Sequence, residues 1–238
     1  MKAKIIFWAF ISLVAAYIAV FVWKPERHHP PGQIAPLTPV QEDVSDAKTF
    51  EHEGYTFRPL ARFAIQARVL GTRTYWFDAS SKLSPIDLAL GWGPMSDSAV
   101  LSKLRITQSR RWYEYWWKDA PPIEPAVIAG HSANMHMIPA DKAIRKKLLS
   151  VHKGDIVEIV GLLVDIRHEN GFKWRSSTSR TDQDGGACEV IFVESILINF
   201  FTDGSSFNGL SYKTGVFSHN TPCRSDYSKS DPHIFLQF

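Results

Sequence analysis

Hydrophobic and polar positions alternate most clearly over residues 63–70, where Phe63, Ile65, Ala67 and Val69 fall on one face and Gln66 and Arg68 on the other. A period of two predicts a half-buried strand with Gln66 and Arg68 toward solvent. Gly71, Thr72 and Arg73 predict a turn, and residues 74–78 the returning strand of a hairpin. Residues 85–90 carry no decisive period, and Gly91, Gly93 and Pro94 then interrupt regular structure. Ser96 or Asp97 is placed to cap a short helix over residues 99–104. Residues 105–107 and 111–117 read as extended, joined by a polar turn at Ser109 and Arg110, and residues 127–138 as a further extended segment.

The last third is more sharply patterned. Residues 139–149 set Ala140, Ala143, Ile144 and Leu148 at helical spacing, with Asp141 near the start and Arg145, Lys146 and Lys147 toward the end, where they complement the helix dipole. Lys153, Gly154 and Asp155 turn the chain into a long strand over 156–166, with a bulge or sharp bend expected at Gly161. Asn170 and Gly171 mark a hairpin into residues 172–177, and residues 187–196 form the closing strand. Strands without regularly alternating helices exclude a parallel α/β sheet. The expected fold is mainly β with one or two short helices. Residues 153–161 resemble the fourth strand of small OB-type Greek-key barrels, which implies a β-barrel.

The amino-terminal end follows a different rule. Residues 5–23 form a run of 19 positions without a charge, from Ile5 to Trp23. As a helix it would cover roughly 28 Å, enough to cross a bilayer. It exceeds the apolar stretch of a cleaved signal and ends in Phe21, Val22 and Trp23 instead of a small-residue cleavage site, which favours retention as an anchor. Lys2 and Lys4 favour a cytoplasmic amino terminus, with the remainder across the membrane. The division that follows is a transmembrane anchor over 1–24, a Pro-rich linker over 25–54, a mainly β domain over 55–198, and a poorly ordered tail or extension over 199–238.

Composition narrows the partners. A hydrophobic content of 45% with 21% charged residues is that of a folding chain, and a net charge of +3 is too small for a basic nucleic-acid surface. Eight Trp residues point to a core or to an aromatic ligand platform. Neither a cofactor nor a metal is expected. His28 and His29 lack a third ligand nearby, and His131 and His136 diverge on a strand. Cys188 and Cys223 are too few to establish a disulfide, although the compartment would permit one.

Three segments carry candidate chemistry. In residues 131–139, Ser132, Asn134 and His136 share one strand face, and the leading reading is a buried polar network, ahead of ligand binding by His131, Asn134 and His136. A hydrolytic site would need Ser132 as nucleophile, His136 as base and a carboxylate such as Asp97 to orient it. On the strand over 111–117, Trp112 and Trp116 occupy one face and Tyr113, Tyr115 and Trp117 the other, so one set must lie outside the core and could stack on sugar rings. Trp174 and Arg175 open a loop over 173–186 whose hydroxyls and glycines suit an anion, although it lacks the order of a Walker loop.

Residues 91–104, 131–140 and 174–177, together with Gly186, Ala187, Cys188 and Glu189, resemble a family of uncharacterised bacterial membrane-anchored proteins over roughly 55–197. The resemblance implies a bacterial inner-membrane setting with a periplasmic domain and brings no activity with it. The expected function is a membrane-anchored periplasmic binding or assembly module whose partners are the inner membrane and envelope proteins or glycan. The alternatives are an envelope hydrolase on Ser132 and His136, or an OB-type binder of oligosaccharide or single-stranded nucleic acid.

Overall fold

In a computed structural model, residues 26–44, 46–77, 80–179, 189–199 and 235–237 are described, with positions 4, 7–8 and 10–13 of the amino-terminal segment. The expected membrane span over 5–23 therefore lies mostly outside the described residues, as do Cys188 and Cys223. Among the described residues no helix is long and apolar enough to cross a membrane.

The alternating stretch forms the middle of β3 (Tyr55–Thr74), and Phe63, Ile65, Ala67 and Val69 are all buried. β3 does not turn at Gly71. It runs on to Thr74, because Gly71 to Thr74 pair with β4 (Ile86–Gly91), and the change of direction falls after Tyr75. Two short strands, β1 (Val40–Asp43) and β2 (Phe50–His52), pair antiparallel with β3.

Beyond β4 a 3-10 turn (Gly93–Ser96) leads into α1 (Ser98–Leu101), whose amino end is capped by Asp97 accepting from Ala99 N at 2.8 Å. β5 (Arg105–Ser109) and β6 (Trp112–Trp116) form a hairpin closed by Arg110 and Arg111, both with positive φ (51° and 70°). That conformation costs a non-glycine residue energy and is held in place by the contacts of Arg111 described below. The extended segment expected over 127–138 is instead split into α2 (Pro125–Gly130), begun by a proline that fits the first helical turn, and β7 (Ser132–Pro139). α3 (Lys142–Leu149) is the amphipathic helix the pattern predicts, with Asp141 Oδ1 accepting from Ile144 N and Ile144 and Leu148 turned inward.

β8 (Ile156–Arg167), β9 (Lys173–Arg175) and β10 (Glu189–Asn199) complete the main sheet. β8 runs unbroken through Gly161. The register shifts lie in its two partners, between Pro59 and Ala61 and between Val193 and Ser195. Gly161 is required because the Phe192 carbonyl presses where a Cβ would stand.

The protein is mainly β with few short helices. Pairing runs β3 to β4 to β7 to β10 to β8 and back to β3, with β7 and β10 parallel and the other pairs antiparallel. All five strands send apolar side chains into one cluster, including Ile65, Leu88, Met135, Ile159 and Ile191, which Leu148 of α3 joins. The β5–β6 hairpin packs on the opposite face through Tyr113 and Tyr115 against Leu70, Ala89 and Ile128. β11 (Phe235–Gln237) pairs with β6, so these three residues of the expected tail belong to the second sheet.

The described part of the expected linker, from residue 26 onward, is docked on the domain and is not a free tether. Arg27 N donates to Lys153 O (2.8 Å), and Gly32 N donates to Asp97 Oδ1 (2.9 Å). Ile34 N and Ala35 N both reach Ser96 Oγ (3.1 Å each), and β1 extends the sheet. Its prolines favour extended backbone, and extended backbone offers amides to whatever acceptors lie beside it.

Candidate functional site

β4 and β7 are buried on both faces. Their alternate residues Asp87, Ala89, Asn134 and His136 turn away from the apolar cluster, toward the hairpin that roofs them. His136 Nδ1 lies 2.9 Å from Asp87 Oδ1, and Arg111 Nη1 donates to the same oxygen at 2.8 Å. Their side chains are 3%, 0% and 17% exposed, so the imidazole and the guanidinium meet the carboxylate out of water. Arg111 also donates from Nη2 to Ser84 O (2.9 Å), and its guanidinium lies 3.9 Å over the Tyr75 ring. Burial first, and next the Asp87 carboxylate, push the Tyr75 phenol far up, so it stays protonated while accepting from Arg111 N at 2.9 Å. Asn134 Nδ2 donates to Arg111 O (3.1 Å), Gln108 Nε2 donates to Asn134 Oδ1 (2.7 Å), and Trp174 covers His136 with ring centroids 4.8 Å apart.

This is the buried polar network expected of the segment, with Asp87 as an unforeseen centre. Its hydrogen bonds run from hairpin to strand floor, the His136–Trp174 ring contact extends it to β9, and it fixes the strained Arg110–Arg111 turn onto β4 and β7.

The proposed hydrolytic trio does not assemble. Ser132 and His136 share a face of β7 but stand four residues apart, about 13 Å along an extended strand. Ser132 Oγ donates to Ile128 O (2.8 Å) at the end of α2, and Asp97 caps α1 while holding Gly32. The carboxylate on His136 is Asp87. His131 is also elsewhere, its Nδ1 donating to Val127 O (2.8 Å) and its ring filling the space above Gly93.

The aromatic strand divides as its alternation requires. Tyr113 and Tyr115 are 0% and 1% exposed, which removes Tyr113 from any ligand face, and burial pushes its phenol far up. Trp112 and Trp116 are half-buried on the outer side, where the Arg105 guanidinium sits 5.3 Å from the Trp116 ring. Arg175 is exposed on β9, opposite Asp165. The anion loop expected over 173–186 lies outside the described residues from position 180, and its first part is tied down by Ser176 Oγ accepting from Val190 N (3.0 Å).

A second charged cluster was missed by the pattern. Arg68, expected toward solvent, is 5% exposed. The docked segment covers it, and Nη1 donates to Ser98 Oγ (2.7 Å) and Ser96 O (3.1 Å), both neutral. No carboxylate among the described residues forms an ion pair with it. Burial lowers its pKa, and only the longer-range fields of Glu26 and Asp97 oppose that. Arg68 lines a cleft of about 340 Å³ together with His28, His29, Lys153, Ser98 and Ser102. The cleft wall is fixed by His29 Nε2 donating to Gly154 O (2.7 Å) and by Ser98 Oγ donating to His29 O (2.8 Å). Lys153 and Glu26 form an ion pair (3.1 Å) with both side chains partly exposed. A sequence signal for this site would have required knowing that residues 26–35 fold back. Among the described residues no group of three or more His, Cys, Asp or Glu could hold a metal.

Comparison with family models, curated proteins and solved structures finds no match.

Proposed function

We propose that this chain is a non-catalytic binding module of the bacterial envelope, held in the inner membrane by residues 5–23 with its amino terminus cytoplasmic and its β domain periplasmic. In this reading it holds an anionic ligand in the cleft at Arg68. The uncharged run of 19 residues supports the anchor. The strand order supports an OB-type barrel, since the five ring strands follow the path 1-2-3-5-4-1 with α3 entering before the fourth. Such barrels commonly bind ligands on the face of their second and third strands. Here those are β4 and β7, and that face is roofed by the chain's own hairpin, which favours a site elsewhere.

The observation that carries the reading is Arg68, a buried guanidinium at the wall of a cleft that forms no ion pair among the described residues. A buried charge of this kind is costly unless an opposite charge meets it, and a bound anion would do so. Equilibrium dialysis of the full chain in neutral detergent against labelled orthophosphate tests it. One phosphate per chain is expected at constant ionic strength. Ser102→Glu, which sets a carboxylate at an exposed position of the cleft, should lower the affinity at least about ten-fold, the effect of a little over 1 kcal/mol of like-charge repulsion. Absence of saturable binding, or binding indifferent to Ser102→Glu and Arg68→Met, would overturn the reading.

A further inference from the structure

We infer that the ligand of this cleft is a phosphate ester carrying an apolar group, met at the membrane surface; this rests on the reading of the cleft as an anion site and names its ligand class.

Three observations carry it. The first is size. A water occupies roughly 30 Å³ of the liquid, so a cleft of about 340 Å³ has room for more than twice the four oxygens of a phosphate. The second is the two-sided wall. Arg68, Lys153 and His28 lie among the cleft residues, and Leu70, Leu101 and Ile106 supply apolar surface to the same space. Leu101 and Ile106 pack on the buried group of Leu70, Met95 and Ile128, so this apolar surface has a firm backing. A free inorganic anion would leave it wet, whereas an alkyl or acyl group beside the phosphate would cover it.

The third observation is position. Glu26, His28 and His29 line the cleft, and they follow within a few residues of the uncharged run that ends at Trp23. With residues 26–29 docked rather than extended, the cleft stays close to the end of the expected anchor. Arg68 suits the ligand chemically, because its planar fork can offer donors to two phosphate oxygens while Nη1 keeps its bonds to Ser96 and Ser98. Among the described lining residues Glu26 is the one carboxylate, and it is paired with Lys153 with its side chain partly exposed. An arriving phosphate would compete with Glu26 for Lys153.

Displacement of labelled orthophosphate from the full chain tests the inference. Dihexanoyl phosphatidic acid and glycerol 3-phosphate present the same monoester with and without acyl chains. The short-chain lipid is expected to displace phosphate at about ten-fold lower concentration, the equivalent of two buried methylenes. Leu101→Ala should weaken the short-chain lipid more than glycerol 3-phosphate and so narrow that gap, which separates seating in the cleft from partition into detergent. Glu26→Gln should tighten both ligands several-fold. Equal potency of the two esters, or a gap that Leu101→Ala leaves intact, would overturn the inference while the anion site stands. Failure of orthophosphate itself to bind would remove the site.

Discussion

Asp87 and Arg68 are both buried charges on adjoining strands of one ring, and they are completed in opposite ways. Asp87 is met by Arg111 and His136 within 2.9 Å, and those two partners lie against Tyr75 and Trp174. Among the described residues Arg68 is met by neutral oxygens only, and it borders a cleft. The first arrangement needs nothing from outside, and its bonds join three separate segments. The second keeps a positive charge out of water with no carboxylate among the described residues to balance it at close range. Equal burial thus distinguishes nothing; what the charge lacks does.

Removing Asp87 should break the comparison most forcefully. Asp87→Ala leaves Arg111 and His136 buried without their carboxylate, and a loss of about 3–5 kcal/mol in denaturant unfolding is expected. Trp174→Ala uncovers His136 but strands no charge, and because the indole is only half-buried about 1–2 kcal/mol should go, read in the same titration. Arg68→Met should shift stability by no more than about 1 kcal/mol in either direction, since it removes a desolvated charge along with two hydrogen bonds to neutral acceptors. A cost for Arg68→Met equal to that of Asp87→Ala would erase the distinction.

The smallest expected effect is on the strap that covers Arg68. Hydrogen bonds from Gly32 N, then from Ala99 N, hold the Asp97 carboxyl below its usual range. A depressed folded value means that its contribution is complete above the ordinary aspartate pKa of about 3.9 and fades as pH falls through the lower folded one. Amide exchange at Gly32, corrected for its intrinsic pH dependence, should therefore accelerate only in that acidic window. Asp97→Asn should remove the transition; a transition centred near neutrality would point to another group.

How much of this was legible follows from where water lies. The face of β3 and that of α3 each border solvent on one side, so Phe63 to Val69 and Ile144 with Leu148 announce their period. β4 and β7 are covered on both sides, one by the apolar cluster and one by the hairpin, and every residue in them is buried. Double burial erases alternation, which is why residues 85–90 gave no period and Asp87 was not seen as the partner of His136, 49 residues away. The candidate residues themselves were mostly visible by type. Their partners were not, because Asp97 and Asp87 differ only in which strand or cap holds them. Arg68 reads as a solvent-facing residue for a related reason: a strand pattern reports two faces but not that a Pro-rich segment folds over one of them.

Amide hydrogen exchange across the full chain, with and without saturating orthophosphate at constant ionic strength, bears most directly on the contrast between the sealed cluster and the open one. The account predicts slower exchange confined to residues 26–32 and 98–104, with no change at 84–87, 111, 136 or 174. Protection centred on Asp87, Arg111 and Trp174, with none around Arg68, would contradict it.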